Sequence, residues 1–380
     1  MAEERGKPDN KVIRFECKNL GEVEKVMETE IILEEWSPVC NIQAFVEKSD
    51  NAYYFYLWIN PESEEPELRS CWICNRVKAT KNVDYQAMEN GEAPCMPLDF
   101  VNHNISGIEL DEDKLHIQWF EEGDAAALLD DDKIIVVIPE FSGYNGFHGY
   151  SIYAKGTGPF AWELEQAYER FEYLVRKSKE RWDYFETGFW GEAGGVQESY
   201  ISALNNFWGN YEKYYAIDGD RFPPKALLVG RRNNVHYAIT AGVSIIPMPK
   251  VEMEYQEKYE DYRRIELGFA CTEEHKALLK MMLGVISGLS NMPWTELTYL
   301  GHGHTIPFSN IKGYNYIVLL NDRMLDKEES VKYEPFMGEQ INLLWIKPIT
   351  TEEYNYIYEN GVDSYLKDRN KQDIYVFDNK

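Results

Sequence analysis

The sequence predicts a two-domain α+β protein in which each domain is a mixed, mostly antiparallel β-sheet packed with helices. Three observations lead to this prediction. Residues 11–154 are dominated by short β-rich segments, residues 160–185 carry a helical repeat, and residues 188–195 contain four glycines in eight positions. A chain of 380 residues is also long enough for two domains of typical size. We therefore expect one domain over residues 1–187 and a second over residues 196–380.

The first domain is expected to follow a short disordered lead and to consist mainly of strands. Tyr53–Ile59 is continuously apolar or aromatic, as expected of a central strand covered on both faces. Leu20–Val26 and the alanine-rich Asp124–Leu129 are predicted as helices on the sheet. Further strands are predicted at Val12–Phe15, Ile42–Val46, Leu115–Phe120 and Ile134–Ile138.

The clearest helix is predicted from about residue 160 to residue 185, where it should close the first domain. Gly156–Phe160 breaks the chain before it, and proline is tolerated in a first helical turn because its missing N–H would be unpaired there. Apolar side chains then recur at three- and four-residue steps opposite a charged face. These apolar residues are Leu164, Ala167, Tyr168, Phe171, Leu174, Val175, Trp182 and Phe185.

The second domain is expected to alternate strands with helices. Gln197–Lys213 is predicted as its first helix, and Glu273–Leu289 as a strongly apolar one. Further helices are predicted at Thr351–Asn360 and Val362–Asp368. Strands are predicted at Ala226–Gly230, Val235–Ile246, Arg263–Phe269, Leu297–Leu300, Tyr316–Leu320, Gln340–Pro348 and Ile374–Phe377.

The composition limits the class of partner. Lys and Arg number 39 against 65 Asp and Glu, so the formal net charge is −26. A surface this negative repels nucleic-acid phosphates and anionic membranes, and it attracts basic proteins. No apolar run approaches the roughly 18–20 residues of a membrane span, and the first ten residues lack the apolar core of a signal peptide. We therefore expect a cytoplasmic protein, whose six cysteines are buried thiols rather than a disulfide framework.

Five ordered segments in the second half of the chain carry a family resemblance. They are His236–Ser244, Arg264–Phe269, the apolar helix leading to Trp294, Gly303–Ile306, and Gly338–Thr350 followed by Glu352 and Glu353. Over about residues 235–378 the chain resembles the Suppressor of fused family in its compact bacterial form. The first half has no such counterpart.

The resemblance implies a domain without known catalysis that works by binding protein. Animal members of the family sequester a transcription factor by clamping a short peptide in a cleft. Bacterial members resemble immunity proteins of polymorphic toxin systems, in which an acidic protein covers a toxin domain. We therefore predict a non-catalytic immunity or sequestering protein without a cofactor, whose partner is a basic toxin or regulatory protein.

The predicted partner-binding residues lie in two stretches. Trp294–Ile306 contains a Gly-His-Gly-His turn, where glycine permits positive φ and a close approach. Glu252–Tyr262 is predicted as an exposed loop whose mixture of carboxylates and tyrosines suits docking on a basic partner, since tyrosine often anchors interfaces. The residues selected are Glu252, Glu254, Tyr255, Tyr259, Tyr262, Trp294, His302 and His304.

Two arrangements offer metal chemistry instead. In an extended segment His302 and His304 point to one face, so the alternative function is a metal-dependent hydrolase that uses both. A second set has zinc-ligand spacing, although residues three apart in a strand face opposite ways and would not converge. Its members are Cys71, Cys74, Cys95 and His103. We assign no catalytic, cofactor or metal residue from the sequence.

Overall fold

The computed structural model confirms the predicted α+β class, with mostly antiparallel sheets packed by helices. It describes residues 29–89, 92–191, 195–255, 257–325, 329–367 and 374–378.

The chain divides into two units, Met1–Trp182 and Asp183–Lys380. The domain limits 1–187 and 196–380 stay a prediction. The predicted lead, the strand Val12–Phe15 and the helix Leu20–Val26 lie outside the described residues. No helix in the described part of the chain is long and apolar enough to cross a membrane.

The first unit contains a four-stranded antiparallel sheet whose strands lie side by side in chain order. These strands are β1 (Glu30–Trp36), β2 (Ile42–Lys48), β3 (Ala52–Ile59) and β4 (Glu67–Asn75). The prediction of β3 as an interior strand is confirmed, because it pairs with β2 and β4 and most of its side chains are buried. A short helix, α1 (Tyr85–Glu89), follows this sheet.

A five-stranded sheet contains the other strands that the structure describes in the first unit, and it overturns one helix prediction. Its strands are β5 (Leu115–Trp119), β6 (Ala126–Asp130), β7 (Lys133–Ile138), β8 (Tyr150–Ser151) and β9 (Trp162–Glu163). The prediction of a helix at Asp124–Leu129 is wrong, because this segment contributes β6, which pairs with both β5 and β7. A short run of buried apolar residues fits a strand and a helix equally well, so only the pairing decides.

The long helix of the first unit, α2 (Tyr168–Phe185), begins later than predicted. The expected start near residue 160 is wrong, because Trp162 pairs with Tyr150 in the sheet and Glu165–Ala167 forms a 3-10 turn. The apolar face is confirmed. Phe171 and Val175 are buried against a core that includes Leu164.

The second unit is built on one eight-stranded sheet. Its order is β10-β11-β12-β13-β16-β15-β14, with β17 also paired to β13. The pairings of β13 with β16 and β17 are parallel, and the other strand pairs are antiparallel. The strands are β10 (Lys213–Ala216), β11 (Ala226–Arg232), β12 (Val235–Ala241), β13 (Arg264–Thr272), β14 (Thr305–Ile311), β15 (Tyr314–Asn321), β16 (Ile341–Ile349) and β17 (Val376–Phe377).

The helices of the second unit follow most of the predictions. They are α3 (Val196–Trp208), α4 (Val251–Glu254), α5 (Lys276–Leu289), α6 (Met292–Thr295), α7 (Thr351–Asn360) and α8 (Val362–Lys367). α5 buries one apolar face, including Met282 and Ile286, against β12 and β13. α3 ends at Trp208, before the predicted Lys213, because Gly209 takes a φ of 82° and Lys213 already belongs to β10.

Two predicted strands in this unit differ from the structure. Leu297–Leu300 is not a strand, because Leu297 has a φ of 47° and Thr298 donates a hydrogen bond back to the Pro293 carbonyl. The strand predicted over Val235–Ile246 ends at Ala241, since Gly242 turns the chain with a φ of 107°. Both segments therefore form turns rather than strands.

A capping box closes the N-terminus of α7 and allows a direct test of local stability. Thr350 Oγ1 accepts the Glu353 N–H at 3.2 Å, and Glu353 Oε2 accepts the Thr350 N–H at 2.8 Å. We expect Thr350→Ala to lower the free energy of unfolding in urea by about 1 kcal/mol, because the cap is lost. Glu352→Ala, an exposed first-turn control, should cost less. Equal stability of Thr350→Ala and the wild type would contradict the prediction.

Candidate functional site

A pocket in the second unit brings the two predicted binding stretches together. Tyr255 and Tyr262 come from the segment after β12, whereas Gly301 and His302 come from the turn before β14. The full lining is Tyr255, Tyr262, Ile265, Tyr299, Leu300, Gly301, His302, Asn321, Met324, Asn342 and Leu344. Two stretches that are separate in sequence therefore form one surface.

Three tyrosines that line this pocket pack against one another. The Tyr255 and Tyr262 rings stack with their centroids 4.4 Å apart, and Tyr299 meets Tyr255 nearly edge-on at 6.1 Å. Burial raises the pKa of Tyr255 and of Tyr299, so both phenols are neutral at physiological pH. Rings that are already packed on one another lose little freedom when a partner covers them.

The acidic segment beside the tyrosines is not the open loop that we predicted. Val251–Glu254 forms α4 and Tyr259–Asp261 a 3-10 turn, and Lys250 and Lys258 take left-handed conformations just before them. Val251 is buried and anchors the segment. The segment therefore holds its side chains on short helical turns.

The carboxylates of this segment differ in exposure. Glu254, Glu257 and Glu260 are exposed, whereas Glu252 is half-buried. Glu254 lies close enough to Tyr299 and His304 to raise the pKa of each, although burial has the larger effect on both groups. We call these three exposed carboxylates, which lie on the segment that carries Tyr255 and Tyr262, the rim.

His302 is held from one side of its ring. Its Nδ1 accepts the Asn321 N–H at 3.0 Å, which places the proton on Nε2. Nε2 is buried and has no hydrogen-bond partner in the part of the chain that the structure describes, and the Asp363 carboxylate is 3.9 Å away. Burial lowers the pKa of His302 despite this carboxylate. The ring is therefore a neutral, positioned wall of the pocket.

The Gly-His-Gly-His turn needs its second glycine. Gly303 has a φ of 85°, and a Cβ atom on it would lie 2.8 Å from Val362 Cγ1 in α8. Its N–H donates to the Leu319 carbonyl at 2.8 Å, which fixes the turn on β15. Because Gly303 breaks the extended conformation, the expectation that His302 and His304 point to one face of a strand does not apply.

His304 packs against the tyrosine cluster. Its ring centroid is 4.9 Å from that of Tyr299. Burial lowers its pKa, so His304 is also neutral at pH 7. Within the described residues, the group whose potential ligand atoms meet a metal-site spacing contains neither of these two histidines.

Trp294 and Tyr259 lie apart from the pocket lining. Trp294 is 4% exposed, and its Nε1 donates to the Pro247 carbonyl at 3.1 Å. The Lys225 ammonium lies 4.9 Å from the Trp294 ring centroid, and burial lowers the pKa of this lysine to about 8. Tyr259 is half-buried, with the Arg263 guanidinium 5.1 Å from its ring centroid. Trp294 thus packs inside the unit and supports the surface from within.

Sequence reasoning missed the floor of the pocket. Asn321 Nδ2 donates to Asn342 Oδ1 at 3.0 Å, and Asn342 Nδ2 donates to the Asp261 carbonyl at 2.8 Å. Both amides are buried, and together they tie β15, β16 and the acidic segment to one another. The available signal was an asparagine inside the apolar run Ile341–Ile349, since buried amides are nearly always hydrogen-bonded.

The cysteine pair with zinc-ligand spacing lies in the strand β4. Cys71 and Cys74 are both buried, and burial raises the pKa of each thiol. His103 Nε2 accepts the Asn75 N–H at 3.1 Å. The fold gives these residues structural contacts.

Comparison with known proteins bears on the second unit. Residues 218–380 match the family described as Suppressor of fused protein (SUFU), and the matched range includes β11 to β17 and every residue that lines the pocket. No curated protein and no solved structure matches the chain. Members of this family are generally non-catalytic proteins that bind other proteins. The C-terminal part of the chain, residues 218–380, is a domain of the Suppressor of fused family.

Proposed function

We propose that this protein binds and sequesters a basic protein, such as a toxin domain, in the manner of an immunity protein. The observation that carries the proposal is the cluster of Tyr255, Tyr262 and Tyr299 around a small cavity of about 20 Å³, beside exposed carboxylates, in a domain of a protein-binding family. The net charge of −26 supports a basic partner. The immunity role draws on the resemblance of bacterial members of the family to immunity proteins.

The pocket has the chemistry of an interface centre. Tyr255, Tyr262 and Tyr299 present ordered amphipathic rings, and tyrosine is enriched among residues that dominate binding energy. Glu254, Glu257 and Glu260 are exposed beside them. Rim charges of this kind raise the association rate of an oppositely charged protein and make it dependent on salt.

Charge reversal at the rim tests this proposal. The partner would be captured from the source cells on the tagged full-length chain, identified by mass spectrometry, and produced separately for titration. We expect Glu254→Lys, Glu257→Lys and Glu260→Lys together to weaken binding at least tenfold at low salt, because about 1.4 kcal/mol of attraction is replaced by repulsion. The loss should shrink as salt is added.

The matched control reverses three other exposed acids, Glu62, Glu64 and Glu65, which lie between β3 and β4. Both triples change the net charge equally, so the control should bind almost normally if the rim is the contact surface. Equal losses of affinity in the two triple variants would show that the effect comes from the net charge of the protein and not from a contact at the rim. Normal binding by the Glu254 triple would remove this segment from the interface.

A further inference from the structure

We propose that Glu274, His275 and Asp378 form a binding site for a divalent transition-metal ion. One ring nitrogen of His275 and one oxygen of each carboxylate all lie within 4.8 Å of one another. None of the three residues lines the tyrosine pocket. The site is therefore separate from the proposed partner-binding surface and from His302 and His304, the pair considered in the alternative metal-dependent function.

The sheet brings the three ligands together. Glu274 and His275 belong to the 3-10 turn that connects the end of β13 to α5. Asp378 follows β17 directly, and β17 runs parallel to β13 with Phe377 paired to Cys271. Because β13 and β17 are parallel, the segments that follow them leave the sheet at the same end. This topology places an acid from the C-terminal end beside the turn that carries the imidazole.

The imidazole is already oriented. His275 Nδ1 lies 3.0 Å from Thr272 Oγ1, and the ring stands edge-on to Phe377 with centroids 5.2 Å apart. Metal-binding histidines typically hold their second ring nitrogen in a hydrogen bond, which fixes the tautomer and the ring plane. With Nδ1 held by Thr272, His275 would offer Nε2 to the ion.

The donor set selects the class of ion. One imidazole nitrogen with two carboxylate oxygens suits Zn²⁺, Mn²⁺ or Co²⁺, whereas Ca²⁺ prefers oxygen ligands alone. An ion at the centre of a triangle with 4.8 Å sides would lie about 2.8 Å from each corner. Zinc bonds to nitrogen and oxygen measure about 2.0–2.2 Å. Two such bonds span roughly 4.4 Å at most, so the ligand atoms must approach one another by small side-chain rotations when the ion binds. Glu274 is exposed and has room for this rotation, and water would take the remaining coordination positions.

The acid next to the proposed ligands has cationic partners of its own. Glu273, the adjacent acid, is 2.5 Å from His236 Nε2 and 3.7 Å from Lys276 Nζ. The lysine therefore has a carboxylate other than the two ligands. An ion bound here would join the strand β17 to the start of α5, and a ligand that binds only the folded state stabilises it by mass action.

Zinc titration of the full-length chain tests the site. Protein treated with a chelator and then dialysed would be titrated with ZnCl₂ in a calorimeter, and its thermal unfolding would be followed with and without the ion. We expect one Zn²⁺ per chain and a higher unfolding midpoint. Asp378→Asn and His275→Ala should each weaken binding by about tenfold or more, because each removes a ligand.

The control is His116→Ala, which removes an exposed histidine from the first unit and should leave zinc binding unchanged. Asp378→Asn decides the question if His275→Ala fails to fold. The proposal is overturned if the wild type shows no saturable binding or if both ligand variants bind zinc normally. It is also overturned if His304→Ala abolishes binding or if CaCl₂ produces the same binding and stabilisation as ZnCl₂.

Discussion

Replacement of Glu339 by alanine is expected to lower the free energy of unfolding by about 3–5 kcal/mol, the usual cost of breaking a buried ion pair. Glu339 is 6% exposed and its carboxylate bonds two buried guanidinium groups. Arg264 Nε donates to Oε2 at 2.8 Å, and Arg263 Nε donates to the same oxygen at 2.9 Å. Loss of the carboxylate would leave two positive charges close together in a region of low dielectric constant.

The measurement is urea unfolding followed by tryptophan fluorescence. Glu334→Ala is the control, because Glu334 is an exposed acid in the same segment and its removal should cost less than about 0.5 kcal/mol. Glu339→Gln should lie between the two, since it keeps one accepting oxygen. A Glu339→Ala variant as stable as Glu334→Ala would show that the arginines find other partners at little cost.

The Glu339 cluster shows why the burial of charged residues in β13 could not be predicted from the sequence. Arg264 and Glu266 alternate with apolar residues in β13, a pattern typical of a strand with one face in water. Both side chains are nevertheless fully buried. Their partners, Glu339 and the turn at Gly242–Ser244, lie in distant parts of the sequence, so tertiary contacts override the local pattern.

Secondary-structure predictions were correct where the local sequence pattern of a segment fits only one kind of element. β3, β16 and α5 have runs or repeats that fit one kind of element, and the structure confirms each of them. Predictions failed at Asp124–Leu129, a short apolar run, and at Leu297–Leu300, a short strand-like alternation, because both were assigned without knowledge of their neighbours. In the first case pairing with β5 and β7 makes a strand, and in the second a positive φ and a local hydrogen bond make a turn.

The candidate site was predictable in part for the same reason. The sequence marked Tyr255, Tyr262 and His302 by residue type, and the structure brings all three to one pocket. Tyr299 and Asn342 line it as well, although neither was selected from the sequence, because their role depends on the sheet that brings them together. The separate group with metal-site spacing depends even more on topology, since it requires the parallel pairing of β17 with β13.

Replacement of Glu266 by alanine is the second change with a large expected effect, a loss of about 3 kcal/mol or more in the free energy of unfolding. Glu266 is fully buried in β13 and accepts the Thr240 hydroxyl at 2.6 Å and the Gly242 N–H at 3.0 Å. It also accepts the N–H of Ser244 at 3.1 Å and its hydroxyl at 2.6 Å. Ser244 Oγ is 2.5 Å from the Tyr200 hydroxyl in α3, so one carboxylate joins the sheet, the turn after β12 and a helix.

Glu266→Gln separates hydrogen bonding from charge. The amide keeps one accepting oxygen, and its nitrogen meets groups that donate to the native carboxylate, so we expect a smaller loss than for alanine at neutral pH.

Burial raises the pKa of Glu266 above its ordinary value of about 4.5. Because the folded pKa exceeds the unfolded one, ionisation opposes folding. The wild type should therefore lose stability relative to Glu266→Gln as the pH rises from about 4.5 through the folded pKa. Urea unfolding of both proteins from pH 4 upwards measures this difference. A gap that widens in favour of the wild type would instead show that the hydrogen bonds stabilise the ionised carboxylate more than burial disfavours it.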